Sequence, residues 1–173
     1  MPSITHINGD LFSAPPNTIL VHACNALGSW GAGIAAVFKE RFPSQFEAYH
    51  AHCKAHDSVS LVGTCLLLPD DGGVHDIACL FTSKAYGKRV DSPEQILEAT
   101  RMAVQDLVKQ NTANKELHAC RFNSGKFGVA WEETEAVLKD FEIDWVIYQP
   151  EEPDNTRRSR GTDNPRVRRL GSE

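Results

Sequence analysis

Two glycine-bearing segments constrain the fold of this chain more than any other feature, because each follows a short apolar run and precedes a helical pattern. The first is LGSWGAG at residues 27–33, and the second is SGKFG at residues 124–128. Glycine lets a backbone approach a ligand closely, and the free N–H groups at a helix start favour an anion. The pair predicts one α/β domain that holds a diphosphate-bearing nucleotide between two strand-to-helix loops.

Each segment taken alone has an ordinary explanation, since glycine often serves turn geometry only. The order GxxGxG in the first segment differs from the dinucleotide-binding fingerprint GxGxxG, and no Walker lysine follows it. A Rossmann or P-loop site is therefore disfavoured. The prediction of a nucleotide rests on the pairing of the two loops.

Apolar periodicity predicts alternating strands and helices around these loops. The predicted strands span residues 3–7, 18–24, 61–68, 74–82, 117–122 and 143–148. The predicted helices span residues 34–42, 44–56 and 132–141, with a further long helix that starts at Pro93. The run 61–68 is almost wholly apolar, so we expect a strand covered on both faces that forms a hairpin with the next strand.

The chain of 173 residues has the size of one domain, and a formal charge of -5 argues against binding of polyanions by bulk charge. We assign residues 1–149 to the folded domain. Residues 150–173 contain six arginines with acidic residues among them, which predicts a polar, disordered tail and no nucleic-acid partner. Residues 1–13 lack a basic-then-apolar leader, and no apolar run approaches the ~20 residues that span a bilayer. We expect a cytoplasmic or nuclear protein with no membrane partner.

The cysteine and histidine pattern gives no expectation of a metal or another cofactor. Five cysteines, an odd number, are expected to be reduced thiols that pack as small hydrophobes. His50, His52, Cys53 and His56 lie close together in sequence, but their spacing matches no standard zinc motif. A solvated helix is the favoured interpretation of that segment.

Three motifs carry a resemblance when they are taken together: NGD at 8–10, HACN followed by GSWGAGIA at 22–35, and NSGKFGVAW at 123–131. With them the chain resembles the macrodomain family. It is most similar to the small fungal ADP-ribose 1''-phosphate phosphatases and more distantly to the terminal ADP-ribose protein glycohydrolase. The resemblance covers about residues 3–149. It implies an α/β fold, a three-layer α/β/α sandwich with a six-stranded mixed sheet.

The resemblance also implies a binding role for particular residues. Asp10 would accept a hydrogen bond from the adenine amino group, and Asn25 would bind the distal ribose. Phe127 would lie against that ribose, and Tyr148 would contact adenine. The full set of implied ligand-binding residues is Gly9, Asp10, Leu11, Ala23, Cys24, Asn25, Trp30, Gly31, Ala32, Gly33, Ile34, Ala35, Phe122, Asn123, Ser124, Gly125, Lys126, Phe127, Gly128 and Tyr148.

Two departures from the glycohydrolase bear on the chemistry. Ser83 stands where that enzyme has its lysine nucleophile, and Phe127 stands where it has its catalytic aspartate; the fungal phosphatases carry the same two residues. The resemblance therefore implies a phosphatase that converts ADP-ribose 1''-phosphate to ADP-ribose and phosphate. A non-catalytic ADP-ribose reader and a hydrolase of ADP-ribosyl esters on acidic side chains remain as alternatives. The implied partner is a small-molecule ADP-ribose derivative, with ADP-ribosylated protein as a second possibility, bound by a monomer.

His22 and Asn25 are the candidate catalytic residues. They lie three residues apart at the end of the second predicted strand, and a neutral imidazole with a pKa near 6.5 suits general acid or base catalysis. The alternative is that His22 is a packed, hydrogen-bonded histidine of a buried strand. Glu132 and Glu133 are interpreted as dipole-stabilising residues of a first helical turn.

Overall fold

The computed structural model describes residues 2–70 and 72–151. Six strands alternate with helices in these ranges. The strands are β1 Ile4–Asn8, β2 Thr18–Asn25, β3 Cys65–Leu68, β4 His75–Ser83, β5 Leu117–Cys120 and β6 Trp145–Gln149. The helices are α1 Gly33–Arg41, α2 Pro43–Ala55, α3 Ser58–Leu61, α4 Pro93–Gln110 and α5 Trp131–Lys139, with 3₁₀ turns at Leu11–Ser13 and Gly87–Arg89. The disordered tail predicted for residues 150–173 lies, from residue 152 onward, outside the described residues.

The six strands form one mixed sheet in the order β1-β6-β5-β2-β4-β3. All neighbours pair in parallel except β3, which runs antiparallel to β4 at one edge. This arrangement confirms the predicted six-stranded mixed sheet and the hairpin. The two glycine-bearing loops follow β2 and β5, which are adjacent parallel strands. Both loops therefore lie side by side at the carboxyl-terminal ends of the strands.

Helices cover both faces of the sheet, which confirms the three-layer sandwich. On one face His22 of β2 stacks on Phe38 of α1, and Phe81 of β4 stacks on Tyr49 of α2. On the opposite face, hydrogen bonds connect β4 to α4 and α5 through Asn123. Strand residues alternate between the two faces, and all but one residue of β2 and all but one of β4 are buried.

The strand predicted for residues 61–68 is wrong in its first half. Leu61 ends the short helix α3, whose start is capped by the Asp57 side chain, and Gly63 then turns the chain with φ +87°. The strand β3 begins only at Cys65 and pairs on one side, at the sheet edge. Gly63 and Thr64 separate the two elements, and the apolar residues on either side do not distinguish them, because a short buried helix and an edge strand bury the same residue types.

The long helix α4 begins at Pro93 as the sequence predicts, because Ser92 and Gln95 form a reciprocal capping box ahead of it. Its apolar face is buried on the sheet. Its first turn lies at the carboxyl-terminal ends of the strands, where the glycine-bearing loops also lie. None of the helices in the described part of the chain combines the length and apolar composition that crossing a membrane requires.

Candidate functional site

The side chain of Asn25 shapes the first loop from within. Its Nδ2 donates to the Ser29 carbonyl at 2.7 Å, and its Oδ1 accepts from the N–H groups of Leu27 at 3.0 Å and Ser29 at 3.3 Å. The residue is 6% exposed. These bonds commit the amide to the loop backbone, so the structure supports a role in holding the loop. The predicted contact of Asn25 with the distal ribose stays a prediction.

Helix α2 fixes the same loop from outside. The Tyr49 hydroxyl donates to the Asn25 carbonyl at 2.6 Å, and His50 Nδ1 lies 3.0 Å from the Gly28 carbonyl oxygen. Gly28 has φ +85°, and a Cβ there would lie 3.0 Å from His50 Nδ1. Burial raises the pKa of Tyr49 far above its usual value, so the hydroxyl keeps its proton and remains a donor. The loop therefore has one favoured position.

The first loop ends at the start of α1, where backbone donors face open space. The N-cap residue Ala32 makes no side-chain hydrogen bond to the first turn. The N–H groups of residues 33–35 therefore have no capping partner from Ala32. Gly33 has φ +59°, and its missing side chain leaves nothing within 4 Å of the Cβ position. An uncapped helix start with free space before it is suited to a phosphate.

The second loop is anchored by Asn123, a residue with φ +68°. Its Oδ1 accepts from the Thr82 hydroxyl at 2.9 Å, while its Nδ2 lies 2.9 Å from the hydroxyl oxygen of Thr100 and 3.3 Å from that of Thr134. All four residues are buried. The side chain of Asn123 thus points into the protein and ties the loop to β4, α4 and α5. The predicted ligand contact of Asn123 would therefore have to come from its backbone atoms.

The tip of the second loop offers further backbone donors. Its closing bonds run from Gly128 N to Gly125 O and from Val129 N to Asn123 O, at 3.1 and 2.9 Å. Within the described chain, the N–H groups of residues 125–127 donate to no acceptor. The Cβ positions of Gly125 and Gly128 have nothing within 4 Å. The Ser124 hydroxyl is already bonded to the Arg121 carbonyl, so the donors that this loop offers a ligand are backbone N–H groups and the exposed side chain of Lys126.

His22 is fully buried, with an exposed fraction of 0%. Its ring stacks on Phe38 with centroids 4.0 Å apart, and it meets Trp30 edge-on at 5.0 Å. A general acid or base must come within hydrogen-bond reach of the proton that it transfers. The enclosure favours the packed interpretation of His22, and its catalytic role stays a prediction that is tested below.

His22, Cys24 and Cys79 are the one group of three potential metal donors found among residues 2–70 and 72–151. Their donor atoms lie within 4.8 Å of one another, and all three residues are buried. Cys24 Sγ lies 3.4 and 3.8 Å from the two ring nitrogens of His22, so it is not aligned with one lone pair. The cluster lies in the core beneath the first loop. Its contacts are those of side chains that pack against one another in the core.

The two thiols of this cluster differ in acidity. Burial by itself raises the pKa of Cys24, but hydrogen bonding from Cys79 and the neighbouring His22 outweigh burial and lower that pKa to about 5. Burial, and then the bond to Cys24, raises the pKa of Cys79 well above its usual range.

The adenine end of the predicted site lies at β1 and β6. Asp10 is exposed, and one of its carboxylate oxygens accepts from Phe12 N at 3.0 Å, which leaves the second oxygen free of contacts among the described residues. Tyr148 is 6% exposed, and its hydroxyl lies 2.9 Å from His118 Nδ1. A cleft of about 490 Å³ beside them is lined by Asn8, Gln149, Pro150 and Glu151.

The side chains of several predicted contact residues are buried. Cys24, Trp30 and Phe122 are at most 3% exposed, and Trp30 packs in an aromatic cluster with Tyr49. Leu11 is also buried. The binding roles of these side chains stay predictions, whereas residues 31–35 and 124–128 of the two loops lie at least partly exposed.

Sequence reasoning did not find the residues that hold the loops in place. They are Tyr49, His50, Thr82, Thr100 and Thr134. His50 drew attention only as a possible metal ligand, and the threonines carried no motif. Their partners lie 11 to 41 residues away in sequence, so no local pattern could have paired them.

Comparison with known proteins identifies this arrangement. The family model of the Macro domain matches residues 21–138, which include both loops and the strands that carry them. The chain belongs to the macrodomain family. The family predicted from the sequence motifs is thus confirmed. The matched range contains both glycine-bearing loops from which that prediction was made.

Relatives support the subgroup as well as the family. A protein of Aspergillus oryzae named ADP-ribose 1''-phosphate phosphatase is 38% identical, with 88% of this chain and 96% of the relative covered. A protein of Chaetomium globosum with the same name is 41% identical, with 81% and 84% covered. Among solved structures, the macrodomain of Mycobacterium tuberculosis DarG matches with a TM-score of 0.71 at 26% identity, over 87% of this macrodomain and all of that chain.

Proposed function

We propose that this macrodomain hydrolyses ADP-ribose 1''-phosphate to ADP-ribose and phosphate. The observation that carries the proposal is the pair of adjacent backbone-donor loops, which follow the neighbouring strands β2 and β5. Uncapped N–H groups from both loops suit the two phosphates of a diphosphate. The choice of substrate rests on relatives at 38% and 41% identity over most of the chain, which are named ADP-ribose 1''-phosphate phosphatase.

In this proposal the protein acts by position and by backbone dipoles. The diphosphate lies between the loops, adenine extends toward Asp10, and the distal ribose with its phosphate extends toward the Asn25 end. Ser83 is not a free nucleophile, because its hydroxyl donates to the Ala85 carbonyl at 2.7 Å and accepts from Asp91 N at 3.0 Å. We propose that water is the attacking group: its oxygen bonds to phosphorus, the bond between phosphorus and the 1'' oxygen breaks, and a proton from the water passes to that oxygen, which becomes the hydroxyl of ADP-ribose.

The alternative functions use the same ADP-ribose site. A reader would need the loops but no turnover, so measuring phosphate release separates it from a phosphatase. An ester hydrolase acting through a lysine adduct is disfavoured, because Ser83 stands at the position of the lysine nucleophile and Phe127 offers no carboxylate. ADP-ribosylated protein remains a second ligand class, and we propose a monomer that acts in the cytoplasm or nucleus.

The purified protein is expected to release phosphate from ADP-ribose 1''-phosphate and to be stabilised by ADP-ribose. Native-state binding raises the unfolding free energy by RT ln(1 + [L]/Kd), or about 2.7 kcal/mol when the ligand is at 100 times its Kd. Phosphate release and the melting temperature with millimolar ADP-ribose are the two measurements. Binding of ADP-ribose without release of phosphate would overturn the phosphatase proposal in favour of a reader. An unchanged melting temperature would contradict ADP-ribose as the class of ligand.

Replacement of Asp10 is expected to weaken ADP-ribose binding by about 1–3 kcal/mol, the usual cost of losing a hydrogen bond to a charged group. Asp10→Ala also removes the acceptor that caps the 3₁₀ turn at Phe12 N. Asp10→Ser is the matched variant, because serine can cap the same N–H but is too short to reach adenine. Calorimetry should show the same loss of affinity for both variants. Full affinity in Asp10→Ser would contradict the adenine role and leave only the cap.

A further inference from the structure

We propose that the loop after β4, residues 84–91, forms a binding subsite for the phosphomonoester at the distal end of the substrate. Lys84, Lys88 and Arg89 supply its positive charge. The inference deepens the proposed function and rests on it, because it assigns the group that distinguishes ADP-ribose 1''-phosphate from ADP-ribose. None of these three residues belongs to the loops that hold the diphosphate.

The position of the loop in the fold matches the distal end of the substrate. The sheet order places β4 beside β2, on the side away from β5 and β1. Ala26 N donates to the carbonyls of Ser83 at 3.1 Å and Lys84 at 3.2 Å, so the base of the loop is bonded directly to the first glycine-bearing loop. A ligand with adenine at Asp10 and its diphosphate between β5 and β2 extends toward this loop.

The loop is held in one shape by its own hydrogen bonds. Lys84 N donates to the Asp91 carboxylate at 3.0 Å, and Asp91 N donates to the Ser83 hydroxyl at the same distance. Gly87, with φ +66°, starts the 3₁₀ turn Gly87–Arg89 that carries two of the cations. These bonds close the loop across its base, so its cationic residues stand on a defined backbone.

The charge of the loop contrasts with the rest of the domain. Residues 84–91 hold three basic side chains and one acidic side chain, a sum of +2. Residues 1–150 as a whole hold 12 basic and 18 acidic side chains, so the remainder carries 9 basic and 17 acidic, a sum of -8. The loop is therefore a positively charged segment of a domain whose remainder is negatively charged.

The three cations of the loop are available to a ligand. Lys84, Lys88 and Arg89 are exposed. The ion pairs of the described residues involve other side chains, so no carboxylate in that part of the chain neutralises these three. A phosphomonoester carries about -1.5 to -2 charges at neutral pH, which the product ADP-ribose lacks at that end. The subsite therefore strengthens binding of substrate relative to product.

The test compares the double variant Lys88→Ala/Arg89→Ala with the wild type. We expect KM for ADP-ribose 1''-phosphate to rise about tenfold or more, because two charge-assisted contacts are lost. The Kd for ADP-ribose is expected to stay within about twofold. The matched control is Lys109→Ala/Lys139→Ala, which removes the same charge from exposed positions at the far ends of α4 and α5. This control should leave both constants unchanged.

Salt dependence gives a second readout. In the wild type, KM for the phosphorylated substrate should rise more steeply with salt than the Kd for ADP-ribose, and this difference should disappear in the loop variant. An unchanged KM, or equal weakening of both ligands, would overturn the subsite. If the wild type released no phosphate, the proposed function would fail. Calorimetry would still test the subsite. The subsite requires that the wild type bind ADP-ribose 1''-phosphate more tightly than ADP-ribose, and that the loop variant not do so.

Discussion

Asn25→Ala is expected to lower phosphate release by about 100-fold or more while affinity for ADP-ribose falls much less. The alanine removes the three hydrogen bonds that set the loop between Asn25 and Ser29. A displacement of about 1 Å at a reacting centre can cost 100-fold in rate, whereas the second loop and Asp10 still hold the ligand. Steady-state turnover and calorimetric affinity are measured on the same preparation.

Two further variants separate loop geometry from direct contact by the Asn25 amide. Asn25→Asp keeps the acceptor for the Leu27 and Ser29 N–H groups but loses the donor to the Ser29 carbonyl. Tyr49→Phe removes the bond to the Asn25 carbonyl and the longer contact with Asn25 Oδ1 at 3.3 Å, and it leaves the bonds between the amide and the Leu27 and Ser29 backbone in place. If geometry is what matters, both should lower turnover partially. Full turnover in Asn25→Ala would show that the loop shape does not limit the reaction.

His22→Ala is expected to destabilise the protein by about 3–5 kcal/mol, the range for truncating a buried aromatic side chain. The loss follows from the cavity left beside Phe38 and Trp30. Activity per folded molecule should change by less than about threefold, because the ring is enclosed. Denaturant unfolding gives the stability, and turnover is normalised to the folded fraction at each temperature.

His22→Phe is the control that distinguishes packing from catalysis. Phenylalanine keeps an aromatic ring on Phe38 and removes the titratable nitrogens, so most of the stability and the activity should return. A general acid or base would behave differently: both variants would lose about 100-fold in rate, and the pH profile near neutrality would flatten. That outcome would establish His22 as catalytic and require the core to open in the enzyme–substrate complex.

The second loop shows how far a motif can be interpreted. The segment NSGKFG was assigned to phosphate binding from its glycines and its place between a strand and a helix, and the structure has free backbone donors at residues 125–127. Asn123 belongs to the predicted binding set, and the structure shows that its side chain contacts Thr82 and Thr100 in the interior. Backbone conformation follows from local residue types, but the direction of a side chain depends on partners that are distant in sequence.

The sequence alone determined the number of strands, their alternation with helices, the two loops and the family, because each of these is expressed in short-range patterns of glycine, capping residues and apolar periodicity. Only the tertiary structure decided which strands are neighbours. The order β5-β2-β4 brings the two donor loops and the cationic loop together, and the packing of α1 and the first loop on β2 encloses His22 against Phe38 and Trp30. These arrangements depend on burial and hydrogen bonding between segments tens of residues apart, which leave no periodic signal in the chain.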